Sequence, residues 1–354
     1  MDTGLNTTAL GTPTHRFLPD GLDADLLSLS PLQFARALEV PTLVRVPGAG
    51  MRPPRAFACL LHGDESTGLE AALAVLRRPA VRAFDLYLVI GNVPAAVADG
   101  GFAHRFLDGQ EDFNRVWGLD IDSPQRAAAA AIHDHLLEAD LEAIVDIHNN
   151  TGNNPFYAIV TTDDARDVNV ATLFTTTVLR WDLGVNTLME SMPPDVSGIA
   201  VECGLPGLPE SRAFAVDGLR RFLGTRRFRD DRVRFDVDML GNLVKVRVRP
   251  EIDFTFDGTL DTHDFVVADG ADTANFVDVD AGHVLGRVRP GADLPLVARH
   301  PRGDDVTHDH LAVTGDGRVV LTHPTTPVMM TRTVPAARKD VLLYLSDHLP
   351  PPRG

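Results

Sequence analysis

The chain is short of cysteine, of lysine and of positive charge as a whole, and these shortages narrow what it can be. Cys59 and Cys203 are the only cysteines among 354 residues, too few for a disulfide framework or a thiolate metal cluster, and their scarcity fits a reducing compartment. Lys245 and Lys339 are the only lysines, so arginine carries nearly all the positive charge. A GC-rich genome accounts for that usage before any function does, although arginine also suits bidentate carboxylate recognition. Positive charge as a whole is scarce: 33 Lys plus Arg face 49 Asp plus Glu, for a formal net charge of -16. Such a field repels nucleic acid and anionic membranes, so an anionic substrate needs a local basic pocket. No apolar run approaches the roughly 18 residues of a membrane span, and the opening Met1 to Asn6 lacks the basic and apolar regions of a signal peptide. We expect a cytoplasmic protein that binds neither nucleic acid nor membrane.

What is present is the composition of a folded globular chain, 44% hydrophobic and 23% charged, which excludes disorder and fibres. At roughly 150 residues per domain the length predicts about two domains. Apolar β-type runs alternate with helical patterns from about Ala56 to Leu223, the signature of an α/β sheet covered by crossover helices. Strands are expected at Ala56–Leu61, Phe84–Ile90, Ala143–Ile147, Phe156–Val160 and Gly198–Glu202. Helices are expected at Thr67–Arg78, opened by Thr67 and Glu70 in capping-box spacing, from Pro124 through Leu137, and over Ala213–Leu223. Beyond about Arg229 the texture changes to short alternating segments such as Val233–Val237 and Leu243–Val248. We therefore expect an N-terminal extension over 1–39 that packs on the rest, a catalytic α/β domain over 40–228, and a smaller β-rich domain over 229–354 that ends in a frayed tail from Pro350.

In open α/β sheets ligands bind beyond the C-terminal ends of the strands, and four such ends carry chemistry. His62 and Glu65 follow the strand ending at Leu61, with Gly63 between them for a tight turn. The same His-x-x-Glu spacing recurs at His135 and Glu138 inside an expected helix, so spacing alone is a weak sign. His148 ends the strand Ala143–Ile147 and supplies a third ligand; two His and one Glu are a catalytic zinc set that leaves a position for water. Asp146, two residues earlier on the same face, is placed to orient His148. Glu202 caps an otherwise apolar strand, as a general base beside a metal would. The loop holding Arg105, Asn114 and Arg115 suits anions: Arg105 for a developing oxyanion, Asn114 with Arg115 for a carboxylate. His133, His135, His308 and His310 are expected to face solvent, and Cys203 to pack.

Taken in order, His62-Gly-Asp-Glu65, Asn92-x-Pro94-x-Ala96, Arg105, Asp112-Phe-Asn114-Arg115, Asp146-x-His148 and Glu202 resemble the motifs of the succinylglutamate desuccinylase and aspartoacylase family, a branch of the zinc carboxypeptidase superfamily. The resemblance covers roughly residues 40–225. It implies a zinc-carboxypeptidase-like mixed sheet flanked by helices, with a C-terminal β domain that walls part of the cleft. It also implies one zinc ion per chain on His62, Glu65 and His148, Glu202 as base and proton shuttle, Arg105 polarising the carbonyl, and Asn114 with Arg115 holding a substrate carboxylate. The implied reaction is hydrolysis of the amide bond of a small anionic N-acyl amino acid. Arg105 and Asp112 are spaced more widely than in the mammalian aspartoacylase pattern, and no arginine closely precedes Ser197, so the acyl pocket is expected to differ from that enzyme's. A carboxypeptidase acting on peptide C-termini and a non-catalytic metal- or ligand-binding relative fit the same residues. Assembly into a homo-oligomer is compatible with all three.

Overall fold

Arg55–Cys59 and Ala143–His148 are buried at every position, as strands covered on both faces must be. In the computed structural model, which describes residues 5–7, 13–78, 82–228, 233 and 236–352, they lie side by side in the middle of a 13-stranded mixed sheet. Its first strands are β1 (Leu5–Thr7), β2 (Pro13–Leu18), β3 (Thr42–Val46), β4 (Arg55–Cys59), β5 (Leu86–Ile90), β6 (Ala143–His148), β7 (Tyr157–Val160), β8 (Thr177–Arg180), β9 (Ser197–Glu202) and β10 (Asp238–Val248). After these come β11 (Phe254–Thr255), β12 (Phe265–Val267), β13 (Val284–Val288), β14 (Leu296–Arg299), β15 (Leu311–Val313), β16 (Arg318–Leu321), β17 (Thr326–Val328) and β18 (Leu343–Leu349). The main path runs β1-β2-β3-β5-β4-β6-β9-β7-β8-β10-β18-β17, with β14 also paired to β10. A second sheet has the order β11-β12-β13-β16-β15. The five strands expected in the α/β half are all present, with no end shifted by more than two residues.

The two faces of the large sheet feed separate cores. Phe57, Cys59, Val145 and Ile147 pack with Leu69 and Leu73 of the helix Thr67–Leu76 and Leu219 of the helix Pro209–Gly224. The alternate residues Ala56, Ala58 and Ile144 pack with Ala128, Ile132 and Leu136 of the helix Pro124–Glu138, which follows from the two-residue period of a strand. Gly68 lets the first helix approach, since a Cβ there would lie 2.8 Å from the Cβ of Cys59. The capping box expected from Thr67 and Glu70 does not form. Ser66 occupies the N-cap and its hydroxyl donates to Glu70 at 2.9 Å, while the Thr67 N–H donates to the Asn149 side chain at 3.2 Å. That bond fixes the helix start to the end of β6.

The sheet crosses residue 228: β10 pairs in parallel with β8 and antiparallel with β18 and β14. It also crosses residue 39, because β2 pairs with β3. A third core, including Val246, Phe265, Leu285 and Leu343, lies between β10 and the small sheet. The segment 233–237 and the tail from Pro350 fall partly outside the described residues. No helix is long and apolar enough to cross a membrane among the described residues.

Candidate active site

The site forms where β4, β6 and β9 end. Past β4 the chain turns sharply at Leu60, which is buried with φ +54, a conformation a leucine holds only when its surroundings enforce it. His62 follows. A Cβ on Gly63 would lie 2.5 Å from the Ala96 main-chain nitrogen, so only glycine allows this approach, and the Gly63 N–H donates to the Arg105 carbonyl at 2.9 Å. Glu65 then sits just before the helix Thr67–Leu76, and His148 is the last residue of β6.

His62, Glu65 and His148 are buried, and each offers a ligand atom within 4.8 Å of the others. One Glu65 oxygen lies 2.7 Å from His62 Nδ1 and the other 2.8 Å from His148 Nδ1. The remaining ring nitrogens face carboxylates: His62 Nε2 is 3.1 Å from Asp112, and His148 Nε2 is 2.6 Å from Asp146. Carboxylates behind both imidazoles fix ring orientation and raise basicity, the arrangement metal-binding histidines favour. Burial opposes charge on His148, but Asp146 and Glu65 outweigh it and raise its pKa well above the ordinary value. Burial likewise opposes ionisation of Glu65, yet the two imidazoles hold it below the usual carboxylate range. Two nitrogens and a carboxylate oxygen on fixed supports suit zinc.

Glu202 is the last residue of β9 and stands in register with His148 on β6. It is 8% exposed, and burial, reinforced by Glu65, pushes its pKa up to about 8 against the opposing pull of His148. With its amide oriented to suit its neighbours, Asn150 donates to Glu202 Oε2 at 3.2 Å and accepts from the Gly204 N–H at 3.3 Å.

Arg105 grips Asp112 through Nε and Nη2, each at 2.9 Å, and its Nη1 lies 3.8 Å from Glu65. Asp112 thus ties Arg105 to His62. Asn114 is turned inward: its amide nitrogen faces His148 Nε2 at 3.2 Å and Asp146 at 3.4 Å, and its oxygen accepts from the Leu188 N–H at 3.0 Å. Its main-chain carbonyl accepts from Arg115 Nη1 at 2.8 Å. The Asn114 amide is thus engaged with the histidine shell instead of facing the cavity beside the Arg115 guanidinium.

His62, Glu65, Arg105, Asn114, Arg115, His148 and Glu202 all line one cavity of about 600 Å³, the size of a small-ligand site. Sequence reasoning assigned no task to Asp112, Asn150, Lys245, Arg247, Lys339 or Asp340, which also line it. The four last-named come from beyond residue 228, where no apolar strand end marked them. The other histidines differ in part from expectation. His133 is half-buried against the Ser191 carbonyl at 3.0 Å, His135 stacks on Phe17 at 4.4 Å, and His310 packs against His323 at 4.5 Å. Cys203 is fully buried, and burial, with Glu202 nearby, holds its thiol pKa well above the ordinary value, which suits packing rather than nucleophilic attack.

Comparison with known proteins bears on the fold and on one segment of the sequence. No curated protein sequence matches the chain. Among solved structures, a succinylglutamate desuccinylase from Vibrio parahaemolyticus superposes with a TM-score of 0.57 at 13% identity, over 91% of this chain and 95% of that one. A succinylglutamate desuccinylase/aspartoacylase from Rhodobacter sphaeroides gives 0.56 at 14% identity, over 87% and 89%. Murine aminoacylase 3 gives 0.51 at 17% identity, over 84% and 95%. At these identities the superpositions establish the fold. The sequence profile of the succinylglutamate desuccinylase/aspartoacylase catalytic domain matches residues 56–198. Over that segment the chain is similar to the catalytic domain of the succinylglutamate desuccinylase/aspartoacylase family.

Proposed function

We propose that the protein is a zinc-dependent hydrolase that cleaves the amide bond of a small N-acyl amino acid. The observation that carries this reading is the convergence, in one cavity, of His62, Glu65 and His148 with the buried carboxyl of Glu202 and two arginines. His62, Glu65 and His148 would hold the ion, which when bound supplies Lewis acidity toward water and an amide carbonyl. Asp112 and Asp146 hold the two imidazoles in position.

Glu202 accepts the proton of the attacking water and returns it to the departing amine. Burial raises the proton affinity of this carboxyl, which helps it hold the proton between the two transfers. Arg105, fixed by Asp112, stabilises the negative charge that develops on the carbonyl oxygen. Arg115 anchors the amino-acid carboxylate, and Asn114 supports it through the main-chain carbonyl that Arg115 Nη1 contacts. Met329, Thr331 and Val341 line the same cavity and favour a small substrate over the C-terminus of a long peptide.

The test is metal content by mass spectrometry on protein purified without chelators, for the native chain and His148→Ala, followed by a panel of N-acyl amino acids. About one zinc per native chain, lost in the variant, with release of a free amino acid from at least one panel member, is the expected result. A native protein that takes up no zinc when it is added back would overturn the reading.

A further inference from the structure

Behind Glu202 the cavity changes character. Ala200 lies two residues before Glu202 on β9, so both side chains leave the same face of the sheet. Ile159 on β7 stands in register with Ala200 and shares that face. The strand order β6-β9-β7-β8 thus puts His148 on one flank of β9 and Ile159 on the other. Trp181, Val185 and Met189, from the segment that follows β8, pack in the same apolar cluster and line the same cavity. Ile159, Trp181, Met189 and Ala200 are buried apart from the surface they turn to it.

This wall carries no charge. No lysine or arginine occurs between Arg180 and Ser197, and Arg180 is paired with Asp163 and does not line the cavity. Glu190 turns back on its own segment, where its oxygens accept from the Gly184, Val185 and Thr187 N–H groups, each at 3.0 Å. Three bonds to one carboxylate hold the segment in shape before any ligand arrives. The segment is also tied to the Arg115 neighbourhood. The Leu188 N–H donates to the Asn114 side chain at 3.0 Å, and the Trp117 N–H donates to the Asn186 carbonyl at 3.2 Å. A pocket adjoining the group that holds the amino-acid carboxylate receives what hangs from the same carbon, which is the amino-acid side chain.

We propose that Ile159, Trp181, Val185, Met189 and Ala200 form the pocket for the substrate's amino-acid side chain, and that this side chain is an uncharged aromatic one. The inference rests on the proposed deacylation and deepens it by giving the released amino acid its class. The indole of Trp181 and the thioether of Met189 both favour contact with a ring, and a cavity of about 600 Å³ has room for a ring beside an amino-acid head group. An acidic side chain would give up its hydration here with no cation to replace it.

Equilibrium binding to the zinc-loaded full chain tests the pocket without requiring turnover. Propanoate, 3-phenylpropanoate, which adds a ring, and succinate, which adds a second carboxylate, are titrated calorimetrically. 3-Phenylpropanoate should bind about tenfold or more tightly than propanoate, the factor that burial of one ring supplies, and more tightly than succinate. Ala200→Leu fills the floor of the pocket and should bring the affinities of 3-phenylpropanoate and propanoate close to each other, with native zinc content as the check on folding. Trp181 is one of only two tryptophans, so emission is a second readout that needs no variant: saturating 3-phenylpropanoate should shift it and saturating propanoate should not. Equal binding of those two ligands, tighter binding of succinate than of 3-phenylpropanoate, a ring preference that survives in zinc-loaded Ala200→Leu, or emission that 3-phenylpropanoate leaves unchanged would overturn the proposal. Turnover of N-acetylphenylalanine and N-acetylaspartate is scored separately. Hydrolysis without a ring preference in binding refutes the pocket and spares the hydrolase, whereas a ring preference lost in Ala200→Leu without hydrolysis of any N-acyl amino acid does the reverse.

Discussion

His148 and Glu202 stand side by side in register at the ends of the adjacent parallel strands β6 and β9. Partners in register project from the same face of a sheet, so the backbone itself holds the imidazole and the buried carboxyl against one another. Two residues far apart in sequence thereby gain a fixed spacing without any loop to arrange.

That pairing makes Glu202→Gln the most direct test of the proposed chemistry. The amide keeps the size of the carboxyl but cannot take up a proton. Zinc content should stay at the native level while kcat falls by about 10²–10⁴. A turnover number near native would exclude Glu202 as the proton carrier.

Arg105→Ala removes the group assigned to the developing oxyanion and also frees Asp112, which now bridges Arg105 and His62. We expect kcat to fall by about 10²–10³. Separating the two effects takes Asp112→Asn, for which a loss of zinc affinity should accompany the loss of rate, measured by competition with a chelator.

Away from the cavity, Arg55 starts β4 and is fully buried. It lies between the Phe84 and Phe228 rings at 4.5 and 4.1 Å and pairs with Glu142 at 3.0 Å. Arg55→Met leaves that carboxylate buried without its partner and should cost about 3–5 kcal/mol in urea denaturation. The double change Arg55→Met with Glu142→Gln should recover much of the loss, and a double variant as unstable as the single would refute this account.

Asp167 offers a pH test independent of any metal. Burial pushes its pKa up to about 6 from 3.8, despite the hydrogen bond it accepts from Thr162. The native state therefore holds this proton more tightly than the unfolded one. The associated stability is complete below about pH 4 and is lost as pH rises through 6. Asp167→Asn cannot ionise, so its Tm should exceed that of the parent by a few degrees at pH 8 and by much less at pH 4. An offset independent of pH would show that Asp167 does not titrate in this range.

The strands that end in His148 and Glu202 were readable from the sequence because buried parallel strands are unbroken apolar runs, and a polar residue at the end of such a run stands out. β10 is different. Its burial alternates between exposed and buried stretches, a pattern that marks a strand but does not reveal its neighbours. Its pairing with β8 joins Asp238 to Thr177, and nothing local in either segment encodes that contact. For the same reason Lys245, Arg247 and Asp340 could not be connected with His62 from the sequence: they reach the cavity through long-range strand pairing. The inward turn of Asn114 was also hidden, since it depends on the main chain at Leu188.

The order in which the large sheet is completed has a consequence for the protein during its synthesis. β10 covers the edge of β8, and β18 pairs with β10 from about a hundred residues downstream. A nascent chain that has emerged through Glu202 already possesses every proposed zinc ligand, but β8 still presents an unpaired edge, a template for misassembly with other chains. The wall carrying Met329, Asp340 and Val341 arrives only between β17 and β18. This part of the cavity wall is therefore completed last on the ribosome, after the residues proposed to perform the chemistry.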